Sequence, residues 1–353
     1  MSHISEAEGR RHVAALGASH DRSGLVRPAP VTPIDDADRV GRDSFEARQS
    51  RSASVAILLC TFNGARFLPF QLASFEAQDF ADWQLFVSDD GSEDETLTLL
   101  MDFQRKHGAG RVQVRRGPGK GANANFLSLI CDPAFDSEYY ALSDQDDVWA
   151  ADKLARARSF LMKTFADVPC VYCTRTRLID AQGAEVGLTQ VFKKPPHFRN
   201  ALVQNIAIGN TTVFNEKTRR LLKQAGADVN VAVHDWWIYL VAAAAGGTVF
   251  FDPYPSVNYR IHAGNLVGVN KNRVRRAWKI LHRFKGWNDS NMQALERIQG
   301  VMLQENRKTF ELFRQARQRS LLPRLYGLAR SGIYREKIVD NIGLALAALI
   351  GKI

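Results

Sequence analysis

The sequence predicts an α/β fold with a mostly parallel central sheet flanked by helices. Short apolar runs that are typical of buried strands alternate with segments of helical periodicity from residue 53 onwards. The run Tyr139–Leu142 leads directly into an acidic stretch, residues 143–149, which contains Asp144, Asp146 and Asp147. Because open α/β sheets bind ligands at the carboxyl ends of their strands, we expect the functional site at this stretch.

Each element follows from its local pattern. The predicted strands share short apolar runs and cover residues 53–60, 83–87, 111–115, 138–142, 170–179, 207–214, 248–251 and 257–261. The predicted helices share apolar side chains spaced three and four residues apart and cover residues 65–77, 92–105, 124–130, 152–164, 216–224 and 234–245. Ser92 and Glu95 match a capping box for the second helix, and Asp147 is predicted to be an N-terminal residue of the fourth.

Composition places the chain among ordinary folded proteins. Its 353 residues suffice for one large domain or two moderate ones, and 45% are hydrophobic. Residues 1–52 are polar and aperiodic, which predicts a disordered leader without a secretory signal. No apolar run reaches the about 20 residues of a membrane helix. The four cysteines are too few and scattered for a disulfide framework, so we expect reduced thiols in a cytoplasmic protein.

The crowded carboxylates of the acidic stretch predict a metal site. Like charges this close raise one another's pKa values and cost stability unless a cation neutralises them. Hard oxygen ligands presented as Asp-x-Asp suit Mg²⁺ or Mn²⁺, which are bound by one or two carboxylates together with phosphate oxygens. The alternative is a solvated acidic loop that caps the next helix.

Positive charge is concentrated near the C-terminus. Residues 271–337 hold 17 Lys and Arg against 5 Asp and Glu, a net charge of +12, whereas the whole chain carries +10. We therefore predict a basic helical C-terminal region over residues 269–353. Such a region suits anionic lipid head groups or nucleic acid, and a solvated helix surface is the alternative.

An ordered set of motifs covers roughly residues 53–268. The motifs are residues 55–64, Asp89–Ser92, Asp144–Asp147, His234–Trp237 and Tyr259–Asn265. In this order they resemble glycosyltransferase family 2, and the acidic and His-Asp-Trp-Trp motifs look most like its bacterial rhamnosyltransferase-type members. The resemblance implies the GT-A fold, with residues 53–150 as a nucleotide-sugar half and residues 151–268 as an acceptor half. It also implies inverting transfer of a sugar from a nucleoside diphosphate sugar.

The resemblance further implies roles for single residues. Asp235 would be the catalytic base. Asp146 and Asp144 would hold Mg²⁺ or Mn²⁺, with Asp144 alternatively on the ribose or on a metal-bound water. Either His262 or Arg260 would contact the metal or the diphosphate. The residues implied to bind the nucleotide sugar are Thr61, Asn63, Asp89, Asp90, Gly121, Asn125 and Asp144. Turn and cap chemistry is the alternative for Asp89, Asp90 and Asp235, and a packing role is the alternative for His262.

The donor and the acceptor stay open at this point. The donor is dTDP-rhamnose or a UDP-hexose, and the acceptor is a saccharide or a lipid-linked intermediate of bacterial surface polysaccharide. We expect the protein on the cytoplasmic face of the inner membrane, held by anionic lipid. A nucleic-acid-binding module would explain the basic tail but not the carboxylates, so no nucleic-acid partner is expected.

Overall fold

The structure is a computed structural model that describes residues 55–163, 168–262, 286 and 288–353. The predicted leader over residues 1–52 lies outside the described residues, as does much of the start of the predicted C-terminal region. The strands are β1 (Val55–Thr61), β2 (Trp83–Asp89), β3 (Val112–Arg116), β4 (Tyr139–Ser143), β5 (Val148–Trp149), β6 (Cys170–Ile179), β7 (Glu185–Leu188), β8 (Val213–Asn215) and β9 (Thr248–Arg260).

These strands, within the described ranges, form one nine-stranded sheet in the order β3-β2-β1-β4-β8-β6-β9-β5, with β7 paired to β6. The pairings among β3, β2, β1 and β4 are all parallel, and β6 is parallel to β9. β8 runs antiparallel to both β4 and β6, which joins the parallel first half to a mixed second half. This mixed α/β sheet flanked by helices confirms the predicted fold class.

Helices cover both faces of the sheet. They are α1 (Leu68–Glu76), α2 (Thr96–His107), α3 (Ala122–Ile130), α4 (Lys153–Lys163), α5 (Phe198–Ala201), α6 (Glu216–Ala225), α7 (His234–Ala244), α8 (288–296), α9 (Gln304–Gln315), α10 (Leu321–Ser331) and α11 (Ile338–Leu349). Every residue of β1 and β4 is buried, as the continuous apolar runs predict for strands covered on both faces. Within the described segments, no helix combines the length and the apolar character needed to cross a membrane.

Two apolar cores lie on the sheet, and one of them contains α7. All residues of α7 are buried, and its apolar side chains pack with those of α3 and α6. The second core contains side chains of α1, α2 and α4. Because α7 has no solvent face, the position of its first turn, and with it the position of Asp235, is fixed by packing on all sides.

Four local predictions are wrong. The strand predicted over residues 207–214 begins only at Val213, after a 3-10 helix at Gly209–Thr211. The strands predicted over residues 248–251 and 257–261 are one strand, β9. The capping box does not form, since α2 begins at Thr96 and the Ser92 hydroxyl accepts a hydrogen bond from Asn63 N at 2.8 Å and donates one to Asp89 Oδ2 at 2.6 Å. Asp147 is not at a helix N-terminus either: α4 begins only at Lys153, and Asp147 is completely buried in the sheet.

Candidate functional site

The acidic stretch is fastened to the turn after β1 by Gln145. Its side-chain amide accepts a hydrogen bond from Phe62 N and donates one to Phe62 O, each at 2.9 Å. A Cβ at Gly64 would lie 2.2 Å from Gln145 Oε1, so a larger residue there would displace the Gln145 amide from this position. Since β1 and β4 are neighbours, this bridge holds the loops at their carboxyl ends together. No pattern in the sequence indicates this role of Gln145.

Asp89 and Thr61 meet at the ends of β2 and β1. The buried Asp89 carboxylate accepts hydrogen bonds from Thr61 Oγ1 at 2.7 Å, from Ser92 N at 2.8 Å and from Gly91 N at 3.2 Å, besides the one from Ser92 Oγ. Four donors therefore orient this carboxylate within the protein. Asp89 organises both turns, and its predicted contact with the nucleotide stays a prediction.

Asn63 secures the same pair of turns from the outside. Its backbone lies in the left-handed region with φ 48°, which Asn tolerates better than most residues. Its side-chain Oδ1 accepts a hydrogen bond from Glu93 N at 2.8 Å. Asn63 is exposed next to Thr61, so the predicted nucleotide-binding residues of the first turn do lie together.

Asp90 shapes the glycine-rich loop that follows β3. Its carboxylate accepts hydrogen bonds from Gly119 N and Gly121 N, both at 2.7 Å. Asn125 on α3 donates through Nδ2 to Ser88 O at 2.8 Å, while its buried Oδ1 has no hydrogen-bond partner among the residues that the structure describes. Asp90, Gly121 and Asn125 are thus brought together beside the end of β2, and their contact with the nucleotide sugar stays a prediction.

Asp144 is the least satisfied carboxylate of the acidic stretch. No described residue donates a hydrogen bond to its side chain, and burial raises its pKa to about 7, with further contributions from Asp146 and Asp235. Asp146 lies beside it, with Oδ2 2.7 Å from His262 Nε2. His262 in turn packs on the ring of Phe67, with the ring centroids 4.9 Å apart. The structure therefore brings the three predicted metal ligands to one edge of the sheet.

Asp147 anchors the end of β9. One carboxylate oxygen accepts a hydrogen bond from Arg260 N at 3.1 Å, and the other accepts one from Asn210 Nδ2. Burial raises the pKa of Asp147 well above its usual range, and the neighbouring Asp146 and Asp144 raise it further. The Arg260 guanidinium donates through Nε to Asp146 O at 3.1 Å, so β9 holds the acidic stretch by backbone contacts as well.

Asp235 is held by three amide donors at the start of α7. Its Oδ1 accepts hydrogen bonds from Asn205 Nδ2 at 2.9 Å and from Trp236 N at 2.5 Å, and its Oδ2 accepts one from Gly209 N at 2.9 Å. Burial nevertheless raises its pKa to about 6, because these bonds only partly offset desolvation. Asp235 also raises the pKa of Asp144, which places the two carboxylates in the same electrostatic environment.

His234 joins α7 to the nucleotide side of the site. Its ring stacks on Phe126 of α3 with the centroids 4.0 Å apart, and its Nδ1 lies 3.2 Å from Asn123 Oδ1. Because Asn123 Oδ1 also accepts a hydrogen bond from His234 N, Nδ1 carries the ring proton. Burial lowers the pKa of His234 to about 3, so the imidazole is neutral at physiological pH.

The donor set fits a divalent ion only in part. No group of three or more His, Cys, Asp or Glu side chains within the described segments is arranged to hold a metal ion. Asp144 and Asp146 do supply hard oxygen atoms, and a Mg²⁺ site commonly uses one or two carboxylates with phosphate oxygens and water. The residues present therefore fit an ion whose coordination is completed by a substrate.

A separate cavity lies next to this site. It has a volume of about 340 Å³ and is lined in part by Phe70, Arg177, Glu185, Asn258 and Arg260. Arg260 is a predicted contact of the metal or the diphosphate, and no other predicted site residue lines the cavity. Arg260 also contacts Asp146 and Asp147, so the cavity adjoins the edge of the sheet where the carboxylates lie.

Comparison with known proteins identifies relatives of the chain. Residues 56–222 match the model of glycosyl transferase family 2. The dTDP-rhamnosyl transferase RfbG of Shigella flexneri is 28% identical over 226 residues, which cover 60% of this chain and 74% of that protein. A second relative is the Escherichia coli UDP-Glc:alpha-D-GlcNAc-diphosphoundecaprenol beta-1,3-glucosyltransferase WfgD. It is 24% identical over 239 residues, which cover 65% of this chain and 86% of that protein.

Solved structures with similar shapes are more distant in sequence. Staphylococcus aureus TarS 1-349 in complex with UDP-GlcNAc is 16% identical, with a TM-score of 0.47 over 74% of this chain and 87% of that one. The mannosyltransferase PcManGT from Pyrobaculum calidifontis, in complex with GDP-Man and Mn²⁺, is 18% identical, with a TM-score of 0.46 over 90% of this chain and 94% of that one.

Proposed function

The chain carries a domain of glycosyltransferase family 2, and on that premise we propose that it transfers a sugar from a nucleoside diphosphate sugar to an acceptor hydroxyl, with inversion at the anomeric carbon. The observation that carries the proposal is the state of Asp235. This carboxylate is buried, oriented by three amide donors and electrostatically linked to the acidic stretch. An oriented carboxylate opposite a phosphate-binding edge is what inverting transfer requires.

Asp235 acts as the general base in this proposal. Its Oδ2 accepts one hydrogen bond from Gly209 N, which leaves a second lone pair for the proton of the acceptor hydroxyl. With a pKa of about 6, most of the Asp235 carboxylate is ionised at neutral pH. This pKa is also close enough to neutral pH for efficient proton transfer. The acceptor oxygen then forms the new bond to the anomeric carbon as the bond from that carbon to the diphosphate breaks.

Asp144 and Asp146 bind the donor from the other side. Mg²⁺ or Mn²⁺ held by these carboxylates would act as a Lewis acid that offsets the charge of the leaving diphosphate. His262 contacts Asp146 and fixes the orientation of its carboxylate. Gln145 and Asp147 position the stretch against β1 and β9, so the two donor-facing carboxylates are presented on a rigid edge.

The nucleotide part of the donor would lie at the turns after β1 and β2. Thr61, Asn63, Asp90 and Asn125 would lie around this position, and the support for this is that the loops that carry them meet beside the ends of β1 and β2. Asp89 would act indirectly, because its four hydrogen bonds organise the turns themselves.

The rhamnosyl relative supports dTDP-rhamnose as donor, and the glucosyl relative supports a UDP-hexose as the second candidate. The name of the glucosyl relative includes a diphosphoundecaprenol acceptor. It supports a lipid-linked saccharide acceptor for this chain as well, and hence a place on the cytoplasmic surface of the inner membrane.

A donor screen tests the proposal. The full chain is incubated with dTDP-rhamnose, UDP-glucose or UDP-N-acetylglucosamine and Mg²⁺, and the released nucleoside diphosphate is measured. We expect release from one of these donors, its loss in EDTA, and its recovery with Mn²⁺. No release from any donor, with or without a diphosphoundecaprenol-linked acceptor, would overturn the proposed function.

A further inference from the structure

We propose that helix α11, together with the adjoining α10, forms a docking surface that lies in the head-group region of an anionic lipid bilayer. The inference deepens the proposed membrane location and rests on it. It names the surface that touches lipid and assigns most of the attachment to apolar side chains rather than to the basic tail alone.

Helix α11 is mostly apolar although it lies at the surface, and Asp340 and Asn341 in its first turn are its polar residues. One face packs inward through Leu344, Ala347 and Ala348, which are buried. The rest of the helix and the residue after it expose large aliphatic side chains, each between 48% and 76% exposed: Ile338, Val339, Ile342, Leu346, Leu349 and Ile350. A surface helix of a soluble protein normally turns polar residues outward, and an exposed apolar group of this size marks a contact surface.

Helix α10 adds a smaller apolar surface. Leu322 is 80% exposed and Tyr326 is 57% exposed, and their spacing of four residues places them on one face of the helix. Tyr suits the boundary of a bilayer, since its ring is apolar and its hydroxyl remains in the head-group region. The exposed side chains of α10 therefore have the composition of an interfacial helix.

A buried arginine fixes the two helices to each other. The Arg324 guanidinium on α10 donates through Nη1 to Ala348 O at 3.2 Å and to Leu349 O at 3.1 Å, at the C-terminus of α11. It also donates through Nε to Gln318 O at 2.9 Å. A cation at this end is favoured by the helix dipole as well. The pair therefore presents its apolar residues as a rigid unit.

The same unit is tied to the segment that positions the catalytic base. Glu336 accepts hydrogen bonds from Lys193 N at 2.9 Å and Lys194 N at 3.2 Å, and Arg335 Nη1 donates to Val203 O at 2.8 Å. Two residues beyond Val203, Asn205 donates to Asp235. A bilayer that holds α11 would thus set the distance of Asp235 from the membrane surface.

Charge around the apolar residues favours lipid over a second copy of the chain. Arg319, Arg330 and Lys337 are exposed next to these helices, and α11 itself contains Asp340 as its single charged residue. Anionic head groups would neutralise these cations, whereas a symmetric dimer through this face would bring the cations of two copies together. An interfacial helix with basic flanks is the arrangement that anionic membranes bind.

Liposome flotation of the full chain tests the proposal. Vesicles of phosphatidylglycerol with phosphatidylethanolamine are compared with vesicles of phosphatidylcholine, at about 0.1 M and about 0.5 M salt. The variant Ile342→Asp with Leu346→Asp places charge on two exposed positions four residues apart. The matched control, Leu97→Asp with Met101→Asp, does the same on α2, where both side chains are also more than 40% exposed.

We expect the wild type to float with anionic vesicles and to retain part of its binding at high salt. The α11 pair should lower the partition coefficient about tenfold or more, and the α2 pair should leave it unchanged. Thermal unfolding followed by circular dichroism should be alike for all three proteins, because the replaced side chains are exposed.

Three results would overturn the docking surface. The first is unchanged flotation of the α11 double variant, and the second is an equal loss of flotation in the α2 double variant. The third is complete release of the wild type from anionic vesicles at high salt, which would assign the attachment to the charges of the basic tail. A wild-type dimer that the α11 pair converts to a monomer, without flotation, would assign the face to a second copy instead. Flotation without release of nucleoside diphosphate from any donor would refute the proposed function and leave the docking surface in place.

Discussion

Replacement of Asp235 by Asn separates a catalytic role from a capping role, and the structure sets the expected magnitudes. A pKa of about 6 in place of the ordinary 3.8 means that the ionised carboxylate costs the folded state about 3 kcal/mol at neutral pH. The amide removes that cost. The NH₂ group of the introduced amide would face either Gly209 N or the two groups that donate to Oδ1 in the wild type, so at least one hydrogen bond would be lost. A lost hydrogen bond that leaves a buried donor unpaired costs about 1–3 kcal/mol.

The two effects depend differently on pH. Since folding raises the pKa of Asp235, the cost of its charge is absent below about pH 4, grows between about pH 4 and pH 6 and is complete above that range. Asp235→Asn should therefore be less stable than wild type by about 1–3 kcal/mol in acid. At neutral pH the two proteins should agree within about 2 kcal/mol. Transfer should fall roughly 100-fold or more at neutral pH.

The assay combines urea unfolding at several pH values with the rate of nucleoside diphosphate release and calorimetric donor affinity. Donor affinity should survive, because the proposed donor site consists of the turns after β1 and β2 and the acidic stretch, which the variant leaves intact. Asp79→Asn is the control, since Asp79 is exposed and outside the site. If Asp235→Asn transfers the sugar at the wild-type rate, another group is the base. If the difference in unfolding free energy between variant and wild type does not change with pH, the argument from the buried charge of Asp235 is refuted.

Three further predictions follow from single contacts. Asp146→Ala should abolish transfer while the midpoint of thermal unfolding stays near the wild-type value, because the change relieves carboxylate repulsion; retained activity in EDTA would exclude the metal role. Gln145→Ala should destabilise the protein by about 1–2 kcal/mol and raise the KM for the donor, since both hydrogen bonds to Phe62 are lost; an unchanged KM would show that the turn does not need the bridge. Lys153→Met should stabilise the protein at neutral pH by roughly 1–4 kcal/mol. The reason is that burial lowers the pKa of Lys153 to about 7, and that its side-chain nitrogen has no hydrogen-bond partner among the described residues. That gain should shrink as pH rises towards about 10, where the unfolded chain also loses the charge, and a gain that grows with pH would contradict the argument.

The sequence predicted those parts of the fold that local patterns determine. β1 and β4 are continuous apolar runs because both faces of the sheet are covered, and α7 was visible from its apolar length and the glycines that end it. The side chains at the ends of these elements could be placed as well, since the carboxyl ends of neighbouring parallel strands share one edge. Asp144 was placed in this way, whereas Asp235, in the first turn of a helix, was assigned only through the family resemblance of its motif.

The residues that position the site could not be predicted, because their partners are distant in sequence. Gln145 binds a backbone 83 positions away, and Asp147 binds one 113 positions away. Asn205 belongs to no motif, since an Asn that orients a carboxylate looks like any loop residue. The capping box failed for a related reason: the Ser92 hydroxyl is engaged by Asn63 and Asp89, which tertiary folding brings to it.

The position of β4 restricts how such enzymes could be recombined. This strand pairs on one side with β1 and on the other with β8, while β5, only a few residues later, crosses to the far edge and pairs with β9. A chimaera joined at residue 150 would leave β4 beside a foreign β8 and β9 beside a foreign β5. Exchange of donor specificity between relatives therefore requires grafting of the loops at the strand ends, with all nine strands kept from one parent.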